Sequence, residues 1–407
     1  MKKVLYISYD GMTDPLGQSQ VLPYLVGLSK KGYSFVLLSF EKSQRFEQFR
    51  HQISEICEQA NIEWQPVSYT KKPPVLSTLW DVRRMKKKAK QLHKIHKFDL
   101  LHCRSHVATL AGKYLNQKFN LPYIFDMRGF YADERVDGGL WNLKNPLFRM
   151  IYRYFKNKES YFLKNATYTI SLTKAGKEII EEGFNEKIAP IEVIPCCADL
   201  NHFDYKNIDE KQKNKLKTEL GILAENRVVT YIGSLGTWYL TDEIVKAFAK
   251  FRDAQKVDKF LVVSGDDLEI LKPAMAKYKV SEDEVIIRSS PRKMVPLYIS
   301  LSDFSIFFIK PVFSKKASSP TKFAELLGMG VPVLCNADVG DMDSFFHDYN
   351  LGHIMPDFEE KSFENAVLEY ENMMAISKET LREVAENLFS LTKGVELYSR
   401  VYKSILK

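Results

Sequence analysis

Cysteine is scarce in this chain and badly spaced for metal or disulfide chemistry. Five occur in 407 residues, at positions 57, 103, 196, 197 and 335, and none forms a Cys-x-x-Cys pair. An odd number without metal spacing argues against structural zinc and against a disulfide framework, and for a reducing cytoplasm. Long apolar runs are missing as well: no stretch of eighteen apolar residues exists, so no membrane-spanning helix is expected. The opening segment Met1–Asp10 is too briefly apolar for a signal peptide and reads as a first strand. The first strand–loop–helix unit lacks Gly-x-Gly-x-x-Gly, which weakens a dinucleotide-cofactor reading. A nucleic-acid recognition motif is also lacking, so no nucleic-acid partner is expected.

What is present is the composition of a soluble globular protein, 45% hydrophobic and 27% charged, long enough for two domains with their own cores. Charge is unevenly spread. Residues 1–200 hold 31 Lys+Arg against 20 Asp+Glu, and the rest hold 28 against 31. A basic half and a near-neutral half suggest domains with different partners. Strand and helix patterns alternate along both halves, which implies α/β architecture with parallel sheets. The polar run Lys206–Lys217 reads as the linker, and the expected domains are 1–204 and 205–389, with a last helix from about 390 to 407.

The segment Ser318–Cys335 concentrates the most chemistry. It reads as loop, helix, glycine turn and buried strand, with Ser319 as a helix cap and Pro320 as the first helical residue. A helix start carries free amide protons and partial positive charge, which suits a phosphate. Lys322 in the first turn adds a cation, and Glu325 lies about one turn on, on the same side. An acid one turn from a phosphate site fits a nucleoside diphosphate whose ribose hydroxyls it accepts. An ordinary capped surface helix would read the same way on spacing alone.

In the first half, polar groups follow apolar strands where open α/β sheets meet ligands: His106, then Asp126 and Arg128, then Asp133, Glu134 and Arg135. These charges fit either a cleft or a structural ion network. The first loop brings Gly17, Gln18 and Ser19 to a helix start. Arg83–Lys97 holds eight Lys or Arg in fifteen residues, and Leu147–Lys156 interleaves aromatics with cations. The first suits a solvated helix face or contact with an anionic membrane; the second suits a membrane interface, with core packing of about half its aromatics as the alternative.

The pattern Ser-Pro-Thr-Lys (319–322), Glu325 and Gly-Met-Gly-Val-Pro-Val (328–333) resembles the donor-binding segment of family-4 retaining glycosyltransferases. Ile194-Pro195 followed by Asp199 and Phe203 resembles the family's hinge, with Cys196-Cys197 where Asn-Gly is usual. The resemblance implies the GT-B fold, two Rossmann-like domains facing a cleft, and transfer of a sugar from a nucleotide sugar, most simply a UDP-sugar, to a glycan or lipid-linked acceptor. The basic first domain adds the expectation of peripheral work at the inner face of the membrane; with no His/Cys/Asp cluster at metal spacing, and Lys322 and amides to neutralise the diphosphate, no metal or other cofactor is expected. The resemblance gives the diphosphate to Ser319, Pro320, Thr321 and Lys322 and the ribose to Glu325. Close backbone approach falls to the loop Gly233, Ser234, Gly236 and Thr237, with Arg292 beside it. Asp126, Arg128 and His106 fall near the reacting sugar, with Asp133, Glu134 and Arg135 on the acceptor side. Two family features are absent: an acid at position 317, which is Ala, and the cations of the glycine loop, replaced by Ser234 and Tyr239. A nucleotide-sugar epimerase or hydrolase, or a basic scaffold with a degenerate site, is the alternative.

Overall fold

The computed structural model describes residues 1–407, which divide into two compact units: 1–196 with 391–407, and 197–390. The first is a seven-stranded parallel sheet in the order β3-β2-β1-β4-β5-β6-β7. Its strands are β1 Lys2–Ser8, β2 Tyr33–Glu41, β3 Ile62–Ser68, β4 Leu100–Arg104, β5 Tyr123–Asp126, β6 Tyr168–Ser171 and β7 Ile191–Val193. The second is a six-stranded parallel sheet in the order β10-β9-β8-β11-β12-β13. It comprises β8 Val228–Ile232, β9 Lys259–Val263, β10 Val285–Arg288, β11 Phe304–Ile306, β12 Val333–Asn336 and β13 Gly352–Met355. Strands such as Val228–Ile232 are buried along their whole length, as parallel strands covered by helices on both faces must be.

Strand order reverses at β1/β4 in the first unit and at β8/β11 in the second. Such switch points open a crevice beyond the carboxyl ends of the strands, where ligands of doubly wound sheets bind. Gly233 directly follows β8, and Arg104 and Asp126 end β4 and β5. The C-terminal helix Leu391–Ile405 belongs to the first unit, where Tyr398 and Tyr402 reach the core beside β4 and β5.

Two local expectations are corrected. Most of the polar run Lys206–Lys217 lies in the helix Glu210–Glu219, whose N-cap Asp209 accepts from the Lys211 and Gln212 amides; it is not a linker. Only Leu216 of that helix is buried, too little apolar content to reveal it from pattern. The first loop leads into two short helices, Pro15–Gln20 and Leu22–Lys30. Pro23 has no amide proton to continue the earlier turn, and the break falls at Val21. The helix after Ser319 begins at Thr321, with Pro320 extended just before it. The basic run Arg83–Lys97 lies in the helix Leu76–His96, which buries Val82, Met85, Ala89 and Leu92 and turns most of its charge outward.

Candidate active site

The second unit gathers most of the residues expected to hold a donor. After β8 the chain turns at Gly233 with φ of 119°, a conformation open to glycine and strained for any residue with a side chain. A Cβ there would also stand 3.0 Å from Lys322 Nζ, so the loop lies directly on the lysine. Asp266, at the end of the neighbouring strand β9, fixes the loop by accepting from the Leu235 amide at 2.6 Å. The Tyr231 hydroxyl donates to the Ser234 carbonyl. Gly236 and Thr237 both adopt positive φ, 70° and 52°, and complete the turn.

Lys322 is 8% exposed, and its ammonium is enclosed with no hydrogen-bond acceptor. Aromatic rings surround it instead: Tyr239 at 3.7 Å, Tyr231 at 4.3 Å and Phe307 at 5.7 Å from their centroids. Cation–π attraction offsets only part of the lost hydration. Burial therefore pulls the Lys322 pKa down to about 7, against an upward pull from Glu325. The ammonium thus sits in an aromatic enclosure with no acceptor of its own.

Glu325 lies three residues along the same helix and is 6% exposed. Burial raises its pKa, opposed by the charges of Arg292 and Lys322. Arg292 Nη1 sits 2.9 Å from Oε1, while its guanidinium stacks over Phe203 and its carbonyl lies 3.2 Å from His202 Nε2. Ser319, Pro320 and Thr321 are partly exposed at the helix start. Beside the loop, Trp238 lies under the nearly buried Lys315, whose Nζ is 3.7 Å from its centroid. Within this unit the structure thus brings Gly233, Lys322, Glu325 and Arg292 together. The aromatic enclosure and Asp266 were missed because only tertiary contact assembles them.

In the first unit, Asp126 is fully buried. Its Oδ2 accepts from Tyr398 at 3.2 Å and lies 3.3 Å from His102 Nε2; Oδ1 lies 3.8 Å from Arg128 Nη1. Burial alone would raise its pKa, but Arg128, the His102 hydrogen bond and Arg104 together draw it down to about 2. Asp126 is therefore a fixed anion that orients Arg128, whose own φ is 60° and whose Nη2 donates to Cys196 Sγ at 3.4 Å. Arg104, 4% exposed and 3.5 Å from Asp10, adds a second guanidinium that sequence reasoning did not single out.

His106 does not reach this point. It is 0% exposed, bonds Glu159 at 2.8 Å, and packs on Tyr131 and Phe125. Its position on the inner face of the helix Ser105–Phe119 explains the burial. Asp133 is likewise engaged, by Tyr152 and Lys156, and Arg135 lies over the Tyr131 ring at 4.7 Å. Glu134 sits partly exposed on the same short helix. Gly17 packs backbone against backbone: a Cβ would fall 2.2 Å from the Gly11 carbonyl oxygen. Gln18 and Ser19 donate to the carbonyls of Thr13 and Pro15, so they shape the loop. Buried Glu41 pins that loop by accepting from the amides of Met12 and Thr13 at 2.8 and 3.1 Å.

Comparison with known proteins agrees in both halves. Residues 20–202 match the model of Glycosyltransferase Family 4, and residues 212–387 match that of Glycosyl transferases group 1. TuaC of Bacillus subtilis (strain 168), named for a glycosyltransferase of teichuronic acid biosynthesis, is 22% identical over 321 residues, 76% of this chain and 71% of that one. Among solved structures, sucrose-phosphate synthase of Thermosynechococcus elongatus superposes with a TM-score of 0.74 at 16% identity, covering 100% of this chain and 99% of the other. HepE of Anabaena, crystallised in complex with UDP and glucose, gives 0.70 at 16% identity, with 99% and 100% covered.

Proposed function

The chain belongs to the family-4 glycosyltransferases of the GT-B fold, and from that premise we propose that it transfers a sugar from a UDP-sugar to a glycan or lipid-linked acceptor with retention at the anomeric carbon. One observation carries the reading: the ammonium of Lys322, buried without an acceptor, stands one helical turn from Glu325 and against the Gly233 backbone. Glu325 takes the ribose hydroxyls. Lys322 and the amides of the helix start take the diphosphate. Gly233 lets that diphosphate approach main chain to main chain. As the glycosidic C–O bond breaks, negative charge grows on the leaving diphosphate, and a preorganised cation in a dry enclosure lowers that barrier most. In this account Lys322 and the amides meet the charge without a resident metal. Support for uridine comes from HepE, whose complexes contain UDP and UDP-glucose. Support for a glycan acceptor comes from TuaC, named for teichuronic acid biosynthesis. A lipid-linked acceptor places the work on the cytoplasmic face of a membrane.

The test is turnover of a UDP-sugar panel with isolated acceptor lipids, following UDP release and the anomeric proton of the product. Wild type should release UDP with the donor's configuration kept, and Lys322→Ala should abolish release while its unfolding stays cooperative. Near-normal release by that variant would remove the phosphate assignment, and an inverted product would remove retention.

A further inference from the structure

Two strand ends of the first unit hold more buried positive charge than their own buried carboxylate matches. Arg104 and Asp126 close β4 and β5 and are register partners, so their side chains leave the sheet on one face. Tyr6 and His102 pair on that face two residues earlier, with ring centroids 4.4 Å apart. Asp126 is committed there to His102, Tyr398 and Arg128. Arg104 is buried, yet its Nε and Nη1 have no hydrogen-bond acceptor. The Tyr6 hydroxyl takes one bond from the guanidinium, and the ion-pair partner Asp10, at 3.5 Å, is itself half exposed. Arg128 repeats the pattern: its Nε is buried without an acceptor, and Nη2 has the Cys196 sulfur, a weak one. Buried guanidinium donors left unpaired are costly to the fold, more so than neutral ones.

The backbone is bent to hold both groups at the crevice beside β1 and β4. Ser105, directly after Arg104, has φ of 65°, and Arg128 itself has φ of 60°. Neither is glycine, so both strand ends keep a conformation that side chains rarely adopt and that packing maintains mostly at ligand sites. We propose that Arg104 and Arg128 together bind an oxyanion of the acceptor, a carboxylate or a phosphate monoester, so that the acceptor is an acidic glycan. An oxyanion supplies the acceptors that Nε and Nη1 of Arg104 and Nε of Arg128 lack, and its planar or tetrahedral oxygens match guanidinium donors in shape and charge. A neutral hydroxyl would leave the second buried charge unmatched. Asp126 keeps Arg128 in place, while the half-exposed Asp10 turns to solvent as the ligand enters. The acceptor role rests on the proposed transfer reaction; the anion site rests on the first unit alone.

Titrations followed by melting temperature test it, with methyl glucuronoside, methyl glucoside and glucose 6-phosphate as probes. Saturating UDP is present throughout, so that a phosphate probe does not report on Lys322. Wild type should bind a charged probe at least about tenfold more tightly than the neutral glucoside. A response to the glucuronoside alone assigns a carboxylate, to the phosphate alone a phosphate, and to both the shared oxyanion chemistry. Arg104→Gln should lose at least about tenfold in affinity for the charged probe, while UDP still stabilises it as it does wild type. Its melting temperature without probe should be unchanged or raised, since a buried cation short of acceptors is removed. If that variant loses its UDP response too, its fold is damaged, and the discrimination between charged and neutral probes by wild type decides alone. Equal or absent responses of wild type to all three probes, with UDP still stabilising, would overturn the anion site and leave the transferase reading standing. Unchanged affinity of Arg104→Gln for the charged probe would overturn the assignment to Arg104. No response of wild type to UDP would remove the transferase reading, and the acceptor role with it.

Discussion

The enclosure of Lys322 ties donor binding to proton uptake. Its pKa of about 7 in the free protein lies well below the ordinary value of about 10.4. The unfolded chain therefore binds more protons than the folded one across that interval. The cost of burying the charge is absent above about pH 10.4, grows as pH falls, and is fully present below about pH 7. A bound diphosphate supplies the missing anion and returns the pKa toward its ordinary range. Binding at pH 8 should then take up about 0.9 proton and at pH 7 about 0.5, and affinity should fall about tenfold per unit above pH 7, or about 1.4 kcal/mol. A nucleotide sugar has no phosphate group that titrates there, so the slope reports on the protein. Calorimetry in two buffers of different ionisation enthalpy measures the uptake directly. Lys322→Arg, always charged, should lose the slope if it binds at all. A dissociation constant flat from pH 7 to 9, with no proton uptake, would refute the argument.

Further consequences follow from the same contacts. Gly233→Ala forces a side chain into φ of 119° and against Lys322, and should cost about 1–3 kcal/mol in chemical denaturation with at least tenfold weaker donor binding. Tyr239→Leu removes the nearest ring from Lys322, worth about 0.5–2 kcal/mol. It should move the pH midpoint of donor binding below 7 with the same slope, which a titration of affinity against pH would record. His106→Ala removes one of two partners of Glu159, leaving Lys156, and should cost about 1–3 kcal/mol of stability, while turnover at low temperature stays within a few-fold of wild type. Lost turnover at unchanged stability would return His106 to the reacting centre.

The parts of this molecule legible in its sequence are those written locally. Alternating apolar strands and helices gave two parallel α/β sheets, and the helix carrying Lys322 and Glu325 was visible because a glycine turn and a buried strand follow it directly. The enclosure around Lys322 was not, since Tyr231, Tyr239 and Phe307 come from the end of β8, the loop after it and the end of β11. Glu41 was silent for the same reason: it holds a loop 28 and 29 residues away in sequence. The inward turn of His106 toward Glu159 was not legible, since a polar residue after a strand resembles a cleft group and its partner lies 53 residues away in sequence.

The most direct measurement is a thermal-shift panel of UDP, GDP, ADP and CMP with their sugars, on wild type and Glu325→Ala. A ligand at about a hundred times its dissociation constant stabilises by about 2.7 kcal/mol, enough to resolve. One nucleotide class, expected to be uridine, should stabilise wild type and not the variant. No response from any nucleotide sugar, or an equal response in both proteins, would contradict a donor site built on Lys322 and Glu325.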